Sequence, residues 1–110
     1  MTAFMAECFW PGVTEQQLVD AGARARRAAG AIGPDGAFAR YMSSILVPSD
    51  EIAFCLFEAT SIDAASDLNR RAAIPFERIL EIVHLGPGGR RVSPPPSSPD
   101  HTTTSPKELR

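Results

Sequence analysis

The chain has 110 residues, enough for one small domain, with 44% hydrophobic and 22% charged residues. Residues 1–85 carry seven arginines against eleven Asp and Glu, a charge of −4 that suits a phosphate backbone poorly. Residues 86–110 carry four basic and two acidic groups, and six of the ten prolines. No apolar run approaches the roughly 18 residues of a membrane span, and MTAFMAECFW has no basic stretch ahead of an apolar one. Two cysteines, Cys8 and Cys55, are too few for a disulfide framework and lack CxxC spacing. Nucleic acid and membrane are therefore not expected as partners, and a reducing cytoplasm is the expected location.

Ala3 to Trp10 is predicted as a strand, with Phe4, Ala6, Cys8 and Trp10 on one face and Met5, Glu7 and Phe9 on the other. Pro11-Gly12 ends it. Thr14 and Gln17 have capping-box spacing, and Glu15 stands where a helix dipole favours it. Leu18, Ala21, Gly22, Ala25, Ala28, Ala29 and Ile32 then recur at helical steps along one narrow face, while Arg24, Arg26 and Arg27 are expected on a solvated face. Gly30, Gly33, Pro34 and Gly36 stop the helix.

Ala37 to Val47 reads as a second strand and Ile52 to Glu58 as a third. Pro48-Ser49-Asp50-Glu51 between them is a turn, so the two form a hairpin. Thr60 or Ser61 caps a second helix with Ile62, Ala65, Leu68 and Ala72 inward, and Pro75 ends it. Arg70 and Arg71 are read as solvated. Ile79 to Leu85 alternates as a fourth strand. From Gly86 onward there is one Val, one Leu and no aromatic, so residues 86–110 are predicted to be disordered. Pro96-Ser97-Ser98-Pro99 fits PxxP spacing, but such matches arise freely in Pro/Ser-rich text, and the tail is read as a solvated extension.

The order β-α-β-β-α-β is that of an α+β, ferredoxin-like domain over residues 1–85: a four-stranded antiparallel sheet with both helices on one face. Both parities of every strand are apolar, so the helix-free face would be an exposed patch of several hundred Å². A second copy, sheet to sheet, would cover it. The expected assembly is a homodimer forming a shared α/β barrel.

The strand FMAECFWPG with its Thr-capped helix, the strand IAFCLFEA and the close NRRAAIPFERILEIV resemble a family of small bacterial ferredoxin-like proteins over roughly residues 3–85. Most members are known only as a domain of unknown function, and some are described as nickel-binding. The resemblance implies the βαββαβ fold and a dimer. It also implies a histidine in the second strand and another in the second helix. Met42 and Leu68 stand at those positions here, so the resemblance does not carry its imidazole ligands to this chain. Nickel prefers imidazole nitrogen, which a thioether and an alkyl chain do not replace.

Four residues remain as candidate ligand-binding groups. Glu7 lies mid-strand between Met5 and Phe9; burial would raise its pKa and make it a base or a ligand. Pairing with an arginine such as Arg40 would make it structural. Cys55 shares a face with Ala53 and Phe57, and both cysteines read as buried small hydrophobes; no lysine in residues 1–85 helps form a thiolate. His84 is the only histidine of the fold and needs Glu7, Glu81, Met42 or Cys55 beside it to hold an ion. The expected function is a dimeric domain binding a small ligand or metal ion between sheet and partner. A cofactor-independent oxygenase or isomerase, with Glu7 or His84 as base, is one alternative, and a non-catalytic interaction module is another.

Overall fold

A computed structural model describes residues 1–31 and 36–91. Strand β1 (Thr2–Phe9) leads into helix α1 (Glu15–Ala28) and a two-residue strand β2 (Gly30–Ala31). Strands β3 (Phe38–Val47) and β4 (Ile52–Ala59) follow, then helix α2 (Ile62–Arg71) and strand β5 (Arg78–Ile82). All pairings are antiparallel, in the order β2-β3-β4-β1-β5. The domain is therefore α+β, and β3-β4-β1-β5 is compatible with the ferredoxin-like arrangement. Among the described residues the sheet has five strands where four were expected. The extra one pairs Gly30 and Ala31 with Ala39 and Phe38. Two residues are too few to show a hydrophobic period, and this strand has no signal to read.

The expected capping box is present: Thr14 Oγ1 accepts from the Gln17 N–H at 3.1 Å, and Gln17 Oε1 accepts from the Thr14 N–H at 2.8 Å. Ser61, not Thr60, caps α2, accepting from the Ala64 N–H at 3.1 Å. The turn after β3 is a 3-10 turn over Pro48–Asp50, closed by Glu51 in the left-handed region at φ 55°. Glu51 also accepts hydrogen bonds from the N–H groups of Trp10 and Gly12, tying this turn to the end of β1.

Helix α2 stops before Pro75 acts on it. Ala72 is its C-cap, Ala73 turns left-handed at φ 56°, and the Ile74 N–H returns to the Asn69 carbonyl at 3.0 Å. Arg24 departs from the solvated role expected of it. Its Nε donates to the Ala72 carbonyl at 2.6 Å and its Nη2 to the Ala73 carbonyl at 3.5 Å, so α1 supplies a cation to the C-terminus of α2. Ile62, expected inward, is 47% exposed; Ala64, Ala65, Leu68 and Asn69 form the buried face instead.

Both helices pack on one face of the sheet. Leu18, Ala21 and Ala25 of α1 and Ala64, Ala65 and Leu68 of α2 meet Phe4, Ala6 and Cys8 of β1 and Ala53, Cys55, Phe57 and Ala59 of β4. The parity expected for β1 and for Cys55 is the observed one. The regular chain ends later than expected. Past Gly86 it turns back, with the Gly86 N–H on the Arg90 carbonyl at 2.7 Å and a bridge between Leu85 and Arg91. The PxxP segment and Ile32 lie outside the described residues.

Candidate functional site: the uncovered sheet face and its end cleft

The helix-free face is built from the other parity of each strand, and the register orders it in rows. Arg40, Glu58, Ala3 and Ile82 form one row across β3, β4, β1 and β5. The next row is Ser43, Leu56, Met5 and Leu80, and the one after is Ile45, Phe54, Glu7 and Arg78. Val47, Ile52 and Phe9 close the face. A register shift between Tyr41 and Ser43 inserts Met42 opposite Leu56. Met42 is 1% exposed yet stands apart from the helix-side core.

A middle row that is apolar apart from Ser43 thus lies between two rows that each hold an ion pair. In the first, Glu58 Oε1 accepts from Arg40 Nε at 3.1 Å and from Nη2 of the same guanidinium. In the other, Glu7 Oε1 accepts from Arg78 Nε at 2.7 Å. Both carboxylates are the more sheltered partner, with side chains 11% and 18% exposed against 45% and 63% for the arginines. Glu7 is therefore ion-paired, as the structural alternative expected, but Arg78 is its partner and Arg40 belongs to Glu58.

At the end of the face, a cleft of about 170 Å³ opens over Ala3 and Ile82. Glu58, Glu81, His84 and Arg91 line it. His84 is exposed and lines this cleft with two carboxylates and a guanidinium. Glu58 does not stand out in the sequence because it closes an apolar run, IAFCLFEA, in which both parities are apolar and alternation is hidden. The available signal was Arg40, its cross-strand partner at the open end of the same hairpin. Arg91 falls in the Gly- and Pro-rich stretch after Leu85, where no hydrophobic period signals the bridge that brings it back to the sheet end.

The four expected site residues do not converge. Glu7 is on the uncovered face, held by Arg78. Cys55 is on the opposite, helix-covered face and 1% exposed. Met42 is enclosed at the bulge, and His84 sits at the far end of the face. Among the described residues, no three His, Cys, Asp or Glu groups gather within reach of one metal ion. The mixed donor set expected around His84 does not assemble: the Cys55 thiol lies on the helix side of the sheet, the Glu7 carboxylate on the other, and Met42 is enclosed at the bulge.

Beneath the helices the cysteines form a polar thread. Cys8 and Cys55 are diagonal neighbours on paired strands. The Ser44 hydroxyl donates to Cys55 Sγ at 3.4 Å, and Ser44 Oγ and the Tyr41 hydroxyl are 2.6 Å apart. Donation to Cys55 and burial push the Cys8 thiol up. Cys55 is lowered, first because it accepts from Cys8 and then from Ser44, against the opposing effect of burial. The sequence had offered nothing to lower a thiol; the donors come from β1 and β3, strands distant in the chain. Burial raises the Tyr41 phenol.

These shifts set a pH dependence. Above the ordinary thiol value of 9.0 an unfolded Cys8 ionises while the folded one keeps its proton, so the native state binds more protons and stability falls as pH rises. Tyr41 acts in the same sense above its ordinary value of 10.0, and the lowered Cys55 offsets part of the loss. Urea midpoints are expected to drop between about pH 8.5 and pH 10.5, and Cys8→Ala and Tyr41→Phe should each flatten the drop. A flat profile for the unaltered chain would contradict these directions.

Comparison with known proteins places the fold. No family model matches the chain, and no curated protein matches it. The crystal structure of SCO4226 from Streptomyces coelicolor A3(2) is similar to it, with a TM-score of 0.59 and 19% sequence identity over 76% of this chain and 99% of that one. At that identity the likeness concerns the backbone architecture. Among the described residues, no helix is long and apolar enough to cross a membrane.

Proposed function

We propose that this chain is a cytoplasmic binding domain that pairs with a second copy through its uncovered sheet face and encloses a small organic ligand at the end cleft. The observation that carries this reading is the face itself. Met5, Leu56 and Leu80 lie between two ion pairs, Phe54 stands in the row of the second pair, and Phe9 and Ile45 are 51% and 53% exposed. Exposed apolar surface of this kind favours a partner. The face carries two arginines and two glutamates, so a copy turned over onto it meets both signs and no net repulsion. The cleft at its edge offers Arg91 and His84 to anionic or hydrogen-bonding groups, with Glu58 held in place by Arg40. An ion is disfavoured as the ligand because the donors do not gather.

An enzymatic variant of this reading would use His84, which lines the cleft with Glu58 and Glu81, as its base. Glu7 is not available for that role, because its carboxylate already accepts from Arg78 Nε at 2.7 Å.

Native mass spectrometry at micromolar concentration, with and without added Ni²⁺, tests the proposal. A dimer that retains no nickel is expected, and Ile45→Glu should convert it to a monomer by placing a carboxylate in the interface. A monomeric unaltered chain would overturn the pairing. A dimer holding one nickel ion per chain would overturn the choice of an organic ligand.

A further inference from the structure

A second cleft lies on the other side of the sheet, between α1 and β3, and the function proposed above does not use it. It measures about 410 Å³ and is lined by Glu15, Leu18, Val19, Tyr41, Ser44 and Leu46. Three aliphatic side chains surround two hydroxyls, the composition of a small-molecule site. Val19 is 57% exposed, an apolar group left in the open at the cleft.

The polar end of this cleft is fixed from several sides. The Tyr41 ring meets Phe57 edge to face, with centroids 5.7 Å apart. Its hydroxyl lies under Gly22 of α1, where a β-carbon would come within 2.8 Å of the phenol oxygen. Helix α1 therefore has a glycine at a position where a methyl group would displace Tyr41. The hydrogen-bond order then follows. Ser44 has one hydroxyl proton and gives it to Cys55, so the 2.6 Å contact between Ser44 and Tyr41 is a donation from the phenol. With its proton committed, the Tyr41 oxygen is left as an acceptor. Among the described residues that line the cleft none is basic, the Glu15 carboxylate adds negative charge, and the cation whose field reaches the Tyr41 phenol is Arg26 of α1, outside the lining.

We infer that the α1–β3 cleft binds a small, neutral, hydroxyl-bearing organic molecule of the phenol class, its ring against Leu18, Val19 and Leu46 and its O–H donated to the Tyr41 oxygen. An ether of the same shape lacks the proton to donate. A carboxylate lacks it too and meets Glu15 besides.

Amide-resolved NMR titration of the full chain with phenol, anisole and benzoate tests this. Phenol is expected to shift the amides around residues 15–19 and 41–46 saturably. Anisole should bind about five-fold more weakly, the value of one neutral hydrogen bond, and benzoate more weakly still. Tyr41→Phe keeps the ring and removes the acceptor, and should weaken phenol about five-fold without changing its affinity for anisole. Should Tyr41→Phe disturb the fold, seen as widespread amide shifts before any ligand is added, the three-ligand ranking on the unaltered chain decides. Phenol shifts confined to the uncovered sheet face, equal binding of phenol and anisole, or benzoate binding best would each overturn the inference. The monomeric Ile45→Glu variant should bind phenol as the unaltered chain does, so failure of the dimer and failure of this site are separable.

Discussion

Replacing Phe57 by alanine is expected to cost about 3–5 kcal/mol, the range for deleting a fully buried aromatic side chain. Phe57 is 0% exposed and is among the largest side chains sealed in the core. It sits in β4, a central strand, opposite Phe4 on β1 and Tyr41 on β3, with the Tyr41 ring edge to face against it. The two flanking rings are stiff and the rest of the helix-side core is rich in alanine, so little can move into the space it leaves and the cavity would stay open. A domain of this size has about 5–15 kcal/mol in all, so the loss is a large share of the total. Urea unfolding of the variant would measure it. A loss below about 1 kcal/mol would mean that the core closes over the gap and that Phe57 does not organise it.

The second large effect is expected on the uncovered face. Arg40→Met should destabilise the chain by about 1–3 kcal/mol, because the sheltered Glu58 carboxylate loses both contacts from that guanidinium. The size falls below that of a fully buried pair because Arg40 is itself half in solvent. Glu58→Gln in the same chain removes the charge that Arg40 had faced, so the double variant should recover part of the loss. A double-mutant cycle in urea isolates that coupling. Additive losses would show that the pair contributes nothing and that the carboxylate is satisfied from elsewhere.

These two positions also show what a single sequence makes legible. Phe57, with Ala53 and Cys55, was readable as one face of a strand, because β4 is a continuous apolar run bounded by turn residues. The order of the larger elements followed from the same kind of local signal: the Thr14–Gln17 capping box, the turn at Pro48 and the alternation after Ile79. What could not be read was which parity the helices cover, since Phe54 and Leu56 are as apolar as Ala53 and Phe57. Glu58 was hidden for that reason, and Glu7 was given the wrong arginine. Arg78 and Glu7 are far apart in the chain and meet only because β5 pairs beside β1. The expected site suffered most, because a ligand set depends on distances between strands. Cys55 and Glu7 looked equally available as residues and turned out to face opposite sides. The Tyr41–Ser44 pair went unnoticed because the bulge at Met42 alters the count along β3: without it, alternation would place Tyr41 and Ser44 on different faces.

The alanine lining of the helix-side core has a consequence for how the chain can vary. Ala6, Ala21, Ala25, Ala39, Ala53, Ala59, Ala65 and Ala72 are all fully enclosed, and each added methylene there forces neighbours out of their rotamers. The helices ride low on the sheet, and this side has little tolerance for growth. The opposite side carries long side chains with open space above them. Divergence in this protein is therefore steered toward one surface: the helix side is held by a ceiling on volume, while on the sheet's outer side the exposed positions away from the two ion pairs, such as Ile45 and Phe9, can change size and chemistry at small cost to folding. New partners and new ligands would be acquired most readily there.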